Sequence, residues 1–326
     1  MAKSIPIIDI SELRKTSLQN EAAEKIGEAC RRDGFFYITG HGVSELLQQR
    51  MEQQSSIFFS LSENEKMRIA MAMGGSAWRG YFPVEGELTS GKPDLKEGLY
   101  FGSELKEDDE RVKTGVPLHG KNLFPEYPAE LRETVLQYLD ALTETAHVVI
   151  KGIALSLGLN ADYFYSRYTK NPLILFRIFH YPAQKTTGEQ WGVGEHTDYG
   201  LLTILKQDGV GGLQVKSGGE WMDAPPVPNT FVCNIGDMLD RMTGGLYRST
   251  PHRVLNTSGT SRYSYPFFFD PDFYAPVHRI ENIAQAADDR EQRWDKASVH
   301  DFKGTYGEYL LRKIGKVFPD LQKKVL

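Results

Sequence analysis

Apolar side chains recur along this chain with two different periods, and the change of period divides it. In the first half the spacing is helical. Ala22, Ile26 and Ala29 share one face of a helix predicted over Glu21–Arg32, which Asp33-Gly34 ends. A second helix fits Glu45–Phe59, and Ser62-Glu63-Asn64-Glu65 reads as the capped start of a third. The longest stripe runs through Leu131, Val135, Leu142, Val149 and Leu157, predicting a helix over about 129–157 that Gly158 closes. Two early runs, Ile5–Ile10 and Gly34–Gly40, read as strands. From Leu173 the period falls to two. Strands are predicted over Leu173–Tyr181, Gly192–His196, Leu201–Lys206, Gly212–Val215, Glu220–Asp223, Thr230–Ile235, His252–Asn256 and Arg262–Phe269. Many short strands at even spacing predict a sandwich, barrel or jelly roll. A last helix fits Thr305–Lys316. Residues 74–106 follow neither period and read as loop and irregular strand.

No linker separates the helical half from the β-rich half. The expectation is one domain over 1–326. Its parts are a helical and irregular region to about 125, a β core at about 170–270, and a helical tail at 271–326. Hydrophobic residues make up 40% of the chain, enough for a real core. The net charge is −5, and the sequence holds no long basic run, which argues against a nucleic-acid partner. Cys30 and Cys233 cannot form a disulfide framework and read as reduced, buried thiols. No segment is apolar enough to span a membrane, and neither end reads as a targeting signal. The expected protein is cytoplasmic, with a small-molecule substrate and no obligate protein partner.

The candidate chemistry begins at His196-Thr197-Asp198. At the end of a strand, His196 and Asp198 project to one side. With His252, at the head of a later strand, they make two imidazoles and a carboxylate. That set is the facial triad of non-haem iron oxygenases, although catalytic zinc also uses it. Arg262 and Ser264 share one face of the next predicted strand, and a guanidinium beside a hydroxyl suits a carboxylate. His41 reads as a structural histidine, and His180 as facing away from Tyr181.

This order of motifs, H-x-D then H then R-x-S, resembles the isopenicillin N synthase-like branch of the Fe(II)/2-oxoglutarate oxygenases. The resemblance extends to Ile5-Pro6-Ile7-Ile8-Asp9-Ile10, to Gly34-Phe35-Phe36-Tyr37-Ile38-Thr39-Gly40-His41-Gly42, and to Asn234-Ile235-Gly236-Asp237. It implies a mainly β fold with flanking helices: a double-stranded β-helix, or jelly-roll, core braced by the N-terminal and central helices. It also implies that His196, Asp198 and His252 bind Fe(II). Arg262 and Ser264 would grip the far carboxylate of 2-oxoglutarate, with Tyr181 sharing it, although many relatives have Asn where this chain has Phe179. O₂ would be consumed, with succinate and CO₂ released and the substrate hydroxylated, and ascorbate would serve as reductant. Within that branch, isopenicillin N synthase and aminocyclopropane-carboxylate oxidase keep similar residues without using 2-oxoglutarate. A 2-oxoglutarate-independent oxidase of the same fold therefore stays open, as do a zinc hydrolase and a non-catalytic β-roll binding protein. For the substrate pocket the sequence suggests 78–101, Leu173–Tyr181, a loop at Met238–Thr243, and Phe267–Phe269. Tyr81, Phe101, Arg241 and Phe268 are the candidate contacts.

Overall fold

The computed structural model describes residues 4–15, 21–183, 191–284, 286, 290–293, 296 and 298–317. Its strands are β1 (Ile7–Asp9), β2 (Phe35–Thr39), β3 (Gly80–Phe82), β4 (Glu97–Gly102), β5 (Leu173–Tyr181), β6 (Val193–His196), β7 (Leu202–Gln207), β8 (Leu213–Ser217), β9 (Glu220–Asp223), β10 (Phe231–Ile235), β11 (His252–Val254) and β12 (Arg262–Asp270). Eight of them form one sheet in the order β1-β2-β10-β7-β12-β5-β4-β3, and four form a second in the order β6-β11-β8-β9. Every pairing is antiparallel except β1 with β2. The two sheets enclose one cavity, with Thr203, Ser264 and Asn234 facing it from the large sheet and His196, Leu213 and His252 from the small one. This is the jelly-roll architecture.

The helices are α1 (Glu21–Arg32), α2 (Glu45–Phe59), α3 (Glu63–Lys66), α4 (Glu110–Lys113), α5 (Leu131–Ser156), α6 (Asp237–Met242) and α7 (Tyr306–Val317). Of these, α1 and α5, with α2 packed on α5, cover the other face of the large sheet, whereas α7 lies on the cavity side. Ser62 and Glu65 close a capping box at the start of α3, satisfying two helix-end donors. The strand period of two sorts each core strand between helices and cavity. Along β12, Arg262, Ser264, Pro266, Phe268 and Asp270 line the cavity. Its other residues turn to the helices, as Phe269 does against His147 of α5, with ring centroids 4.8 Å apart. On β5, Phe176 packs on Tyr138 of α5 at 5.4 Å, while Arg177, Phe179 and Tyr181 line the cavity.

Two features depart from the sequence reading. Residues within 74–106 form two regular strands, β3 and β4, that extend the large sheet beyond β5. Glycines hide this, because they stand where neighbours press on the backbone. A Cβ at Gly98 would lie 2.5 Å from the Phe82 ring, and one at Gly102 would overlap the Arg79 guanidinium. The expected loop at 238–243 is the helix α6. Its buried Asp237 and Asp240 each pair with Arg293 at 3.0 Å, so their charges are neutralised by a segment distant in sequence. The helical tail is described as α7 to Val317; 318–326 lies outside the described residues.

Candidate active site

Register places the two histidines. In the β11–β6 pairing His252 stands opposite His196, and their ring centroids are 4.2 Å apart. Asp198 follows β6, and its carbonyl accepts a bond from the Asp237 amide at 2.7 Å at the start of α6. The Asp198 Oδ1 atom lies 3.8 Å from His196 Nε2 and 3.7 Å from His252 Nε2. Among the described residues these three form the one group of potential ligands close enough to share an ion.

The surrounding bonds leave the right atoms free. His196 Nδ1 donates to the Gly194 carbonyl at 2.8 Å, and His252 Nδ1 donates to the Thr250 carbonyl at 3.2 Å. A carbonyl can only accept, so each Nδ1 carries the proton and each Nε2 lone pair faces the shared space. Asp198 Oδ2 accepts from Thr203 Oγ1 at 2.6 Å and from Asn234 Nδ2 at 2.7 Å, which leaves Oδ1 for the ion. Burial, and then the neighbouring His252, push the His196 pKa down to about 4, so its ring is neutral near pH 7. Burial alone would raise the Asp198 carboxyl. The two imidazoles and the bonds from Asn234 and Thr203 outweigh it and hold that carboxyl below its ordinary value. Two imidazoles that turn Nε2 to the shared space and a carboxylate that turns Oδ1 there fit a divalent iron with open positions.

Arg262 lies in the same cavity and is fully buried. Its Nε donates to the Gly211 carbonyl at 2.5 Å, and its guanidinium lies 4.5 Å over the Tyr181 ring. Its two terminal nitrogens, Nη1 and Nη2, have no partner in the protein. A buried cation without a counter-ion is costly, and a carboxylate would remove that cost through two parallel bonds. The hydroxyls of Ser264 and Tyr181 stand 3.2 Å apart beside it. These residues fit the distal carboxylate of 2-oxoglutarate.

The candidate substrate residues divide. Phe268 lines the cavity. Tyr81 does not: it is buried in the core, and its hydroxyl donates to Glu97 at 2.5 Å, a carboxylate also held by Lys66 and His180. Phe101 stacks on Phe124 at 5.1 Å and Phe176 at 6.3 Å, on the face of the sheet turned to the helices. The expectation is off by one position, since Tyr100 points the other way, to Glu87 and Arg177. Arg241, on α6, donates to the carbonyls of Val277, Val299 and His300, and so ties down the tail instead of meeting the cavity. Phe267 and Phe269 likewise face the helices. His41 is remote from the triad, with its ring edge against Phe231, and His180 turns outward to Glu97 and Ser261. Glu195 is bound to Lys216 at 2.9 Å, so the residue adjacent to the triad offers no general base to a zinc hydrolase.

Several cavity residues escape the sequence reading. Thr203 is visible there only as a strand position, and Asn234 only as the first residue of the Asn234-Ile235-Gly236-Asp237 motif with no role assigned, though alternation from a neighbour facing the triad would have placed both in the cavity. Glu87, Thr89 and Lys96 lie in the glycine- and proline-rich stretch, where buried charge has no sequence signal. Tyr306, Leu310, Ile314 and Val317 of α7 complete the wall from the far end of the chain.

Comparison with known proteins follows the same division of the chain. The sequence model described as 2OG-Fe(II) oxygenase superfamily matches residues 172–271. The model described as non-haem dioxygenase in morphine synthesis N-terminal matches residues 5–127. A Dictyostelium discoideum protein named a probable iron/ascorbate oxidoreductase is 54% identical, over 99% of this chain and 97% of its own. The 1-aminocyclopropane-1-carboxylate oxidase of Dictyostelium mucoroides is 41% identical, over 98% and 96%. Among solved structures, a full-length Neurospora crassa protein in complex with alpha-KG and thymine superposes with a TM-score of 0.78 at 28% identity, covering 95% of this chain and 96% of that one.

Proposed function

Because the chain belongs to the 2OG-Fe(II) oxygenase superfamily, we propose that His196, Asp198 and His252 hold its iron and that Arg262, Ser264 and Tyr181 hold the distal carboxylate of 2-oxoglutarate. The protein is a non-haem Fe(II)- and 2-oxoglutarate-dependent oxygenase acting on a small molecule. The reaction we assign is hydroxylation of a substrate C–H bond, with release of succinate and CO₂. When bound, iron and 2-oxoglutarate together supply the oxidising chemistry. The chain's own residues do the rest. Gly194 and Thr250 fix the two imidazole tautomers, and Thr203 and Asn234 orient Asp198. The apolar wall of Phe268, Leu175, Leu310 and Ile314 limits water around the reacting bond.

One observation carries this reading: an unpartnered, fully buried guanidinium in the cavity that also holds the triad. Ascorbate, which the 54% identical relative carries in its name, is the reductant we assign for keeping iron ferrous. We place the enzyme in the cytoplasm, on the support of two buried free thiols, Cys30 and Cys233. No described helix is long and apolar enough to cross a membrane. The test is anaerobic titration of Fe(II) and then 2-oxoglutarate, followed by absorption, and then a screen for substrate-stimulated succinate release. Binding of both, lost in His196→Ala, Asp198→Ala and His252→Ala variants that stay folded, is the expected result. Product formation without 2-oxoglutarate would overturn the co-substrate assignment.

A further inference from the structure

The cavity wall carries a second group of buried charges besides Arg262. Arg177 sits on the cavity face of β5, across from Pro266. Pro266 has no N–H to donate, and the β12–β5 pairing passes from Ser264↔Phe179 to Phe267↔Phe176 around it. The Arg177 guanidinium lies between two rings, 4.3 Å from the centroid of Tyr100 and 4.9 Å from that of Phe268. Rings on its faces leave its N–H edges as the reactive rim. Its Nε has no partner, and its Nη1 meets Glu87 Oε1 only at 3.5 Å, the outer limit of a hydrogen bond.

Glu87 is 2% exposed and also lines the cavity. Tyr100 donates to its Oε1 at 2.7 Å, and Lys96 Nζ stands 2.8 Å from its Oε2. Lys96 in turn binds Asp94 at 2.5 Å, so the four charges of Arg177, Lys96, Glu87 and Asp94 balance. Lys96 also lines the cavity, which is the one that holds His196, Asp198 and His252.

We infer that this loosely closed Arg177–Glu87 pair is the subsite for the zwitterionic head of an α-amino acid, with the carboxylate on Arg177 and the ammonium on Glu87. A balanced cluster rejects a lone charge, because either sign alone would leave one member of the pair opposed. A zwitterion adds no net charge and supplies the bonds that Nε lacks and that Nη1 makes poorly. The amino-acid side chain would then run along Phe268, Leu175, Leu310 and Ile314 toward the open side of the triad.

The inference rests on the oxygenase reading, so the test measures both in one titration. The protein is loaded with Mn(II), which does not support turnover, and with 2-oxoglutarate. Binding of the twenty proteinogenic L-amino acids is then followed by calorimetry. For each binder, the decarboxylated amine and the deaminated acid are titrated alongside. At least one amino acid should bind, with its amine and its acid each about tenfold or more weaker, the equivalent of one charge-assisted bond. Arg177→Gln should remove that preference and leave 2-oxoglutarate affinity unchanged. If 2-oxoglutarate binds and no amino acid does, or if the bare acid or amine binds as tightly, the subsite assignment is wrong. If 2-oxoglutarate itself fails to bind, the oxygenase reading fails instead. The analogue series uses the unaltered protein, so the outcome does not depend on the variant folding.

Discussion

Arg262→Met separates a co-substrate clamp from a structural arginine, because the two readings predict opposite signs. The substitution removes the Nε bond to the Gly211 carbonyl, worth about 1 kcal/mol net, and the contact with the Tyr181 ring, worth about 0.5–2 kcal/mol. It also removes a fully buried cation whose Nη1 and Nη2 are unpartnered, a burden of several kcal/mol. The apoprotein should therefore be no less stable than the parent. Its response to 2-oxoglutarate should collapse. Losing two charge-assisted bonds weakens binding by about a hundredfold or more. At a 2-oxoglutarate concentration about 100 times the parent Kd, the parent gains about 2.7 kcal/mol of stability, and the variant would gain about 0.4 kcal/mol. Urea denaturation of both proteins with Mn(II), with and without 2-oxoglutarate, reads all four quantities. A variant destabilised by more than about 2 kcal/mol that still binds 2-oxoglutarate normally would refute the clamp and make Arg262 a structural residue.

Other expectations follow from the same geometry. Asn234→Ala leaves the Asp198 carboxylate held by Thr203 alone, and metal affinity should fall about ten- to hundredfold in a Mn(II) titration; unchanged affinity would show that Asn234 does not orient the ligand. Burial pushes the Asp270 pKa up to about 7, so the folded state keeps a proton that the unfolded chain has released. The stability this contributes is complete below about pH 4 and is lost as pH rises through about 7. Asp270→Asn should flatten that decline in denaturation midpoints measured from pH 4 to pH 8, and an identical slope would contradict it. Tyr81→Phe should lower stability by about 1–2 kcal/mol through loss of the Glu97 bond and leave the succinate-to-product ratio unchanged. A raised ratio with normal stability would return Tyr81 to the cavity.

Legibility in the sequence followed the range of the interactions involved. The helices at Glu21–Arg32 and Glu45–Phe59 and the strand at Leu173–Tyr181 were readable because each carries its own periodicity and its own stop. His196, Asp198, His252 and Arg262 could be singled out because the H-x-D, H and R-x-S pattern is written in the sequence itself, and the fold brings all four to one cavity. Tyr81 and Phe101 were misplaced because strand register in a glycine-rich stretch depends on neighbours, and a shift of one position exchanges the faces. The helix α6 looked like a loop because the partner of its acidic residues, Arg293, lies more than fifty residues away in sequence. Glu87 and Lys96 were invisible for a related reason, since their mutual neutralisation exists only after folding.

The alternation along β12 also limits how this enzyme can change through descent. Arg262, Ser264 and Phe268 face the cavity, while Phe267 and Phe269, interleaved with them, hold the sheet to its helices. Replacing a cavity-side residue near Phe268 or Arg177 alters what is bound and leaves both the packing and the Arg262 end intact. Deleting or inserting one residue within the strand swaps the two sets, driving aromatic rings into the reaction chamber and a guanidinium into the helix interface. New specificities in this scaffold are therefore reached by substitution along alternate positions, and length changes are confined to the connections between strands.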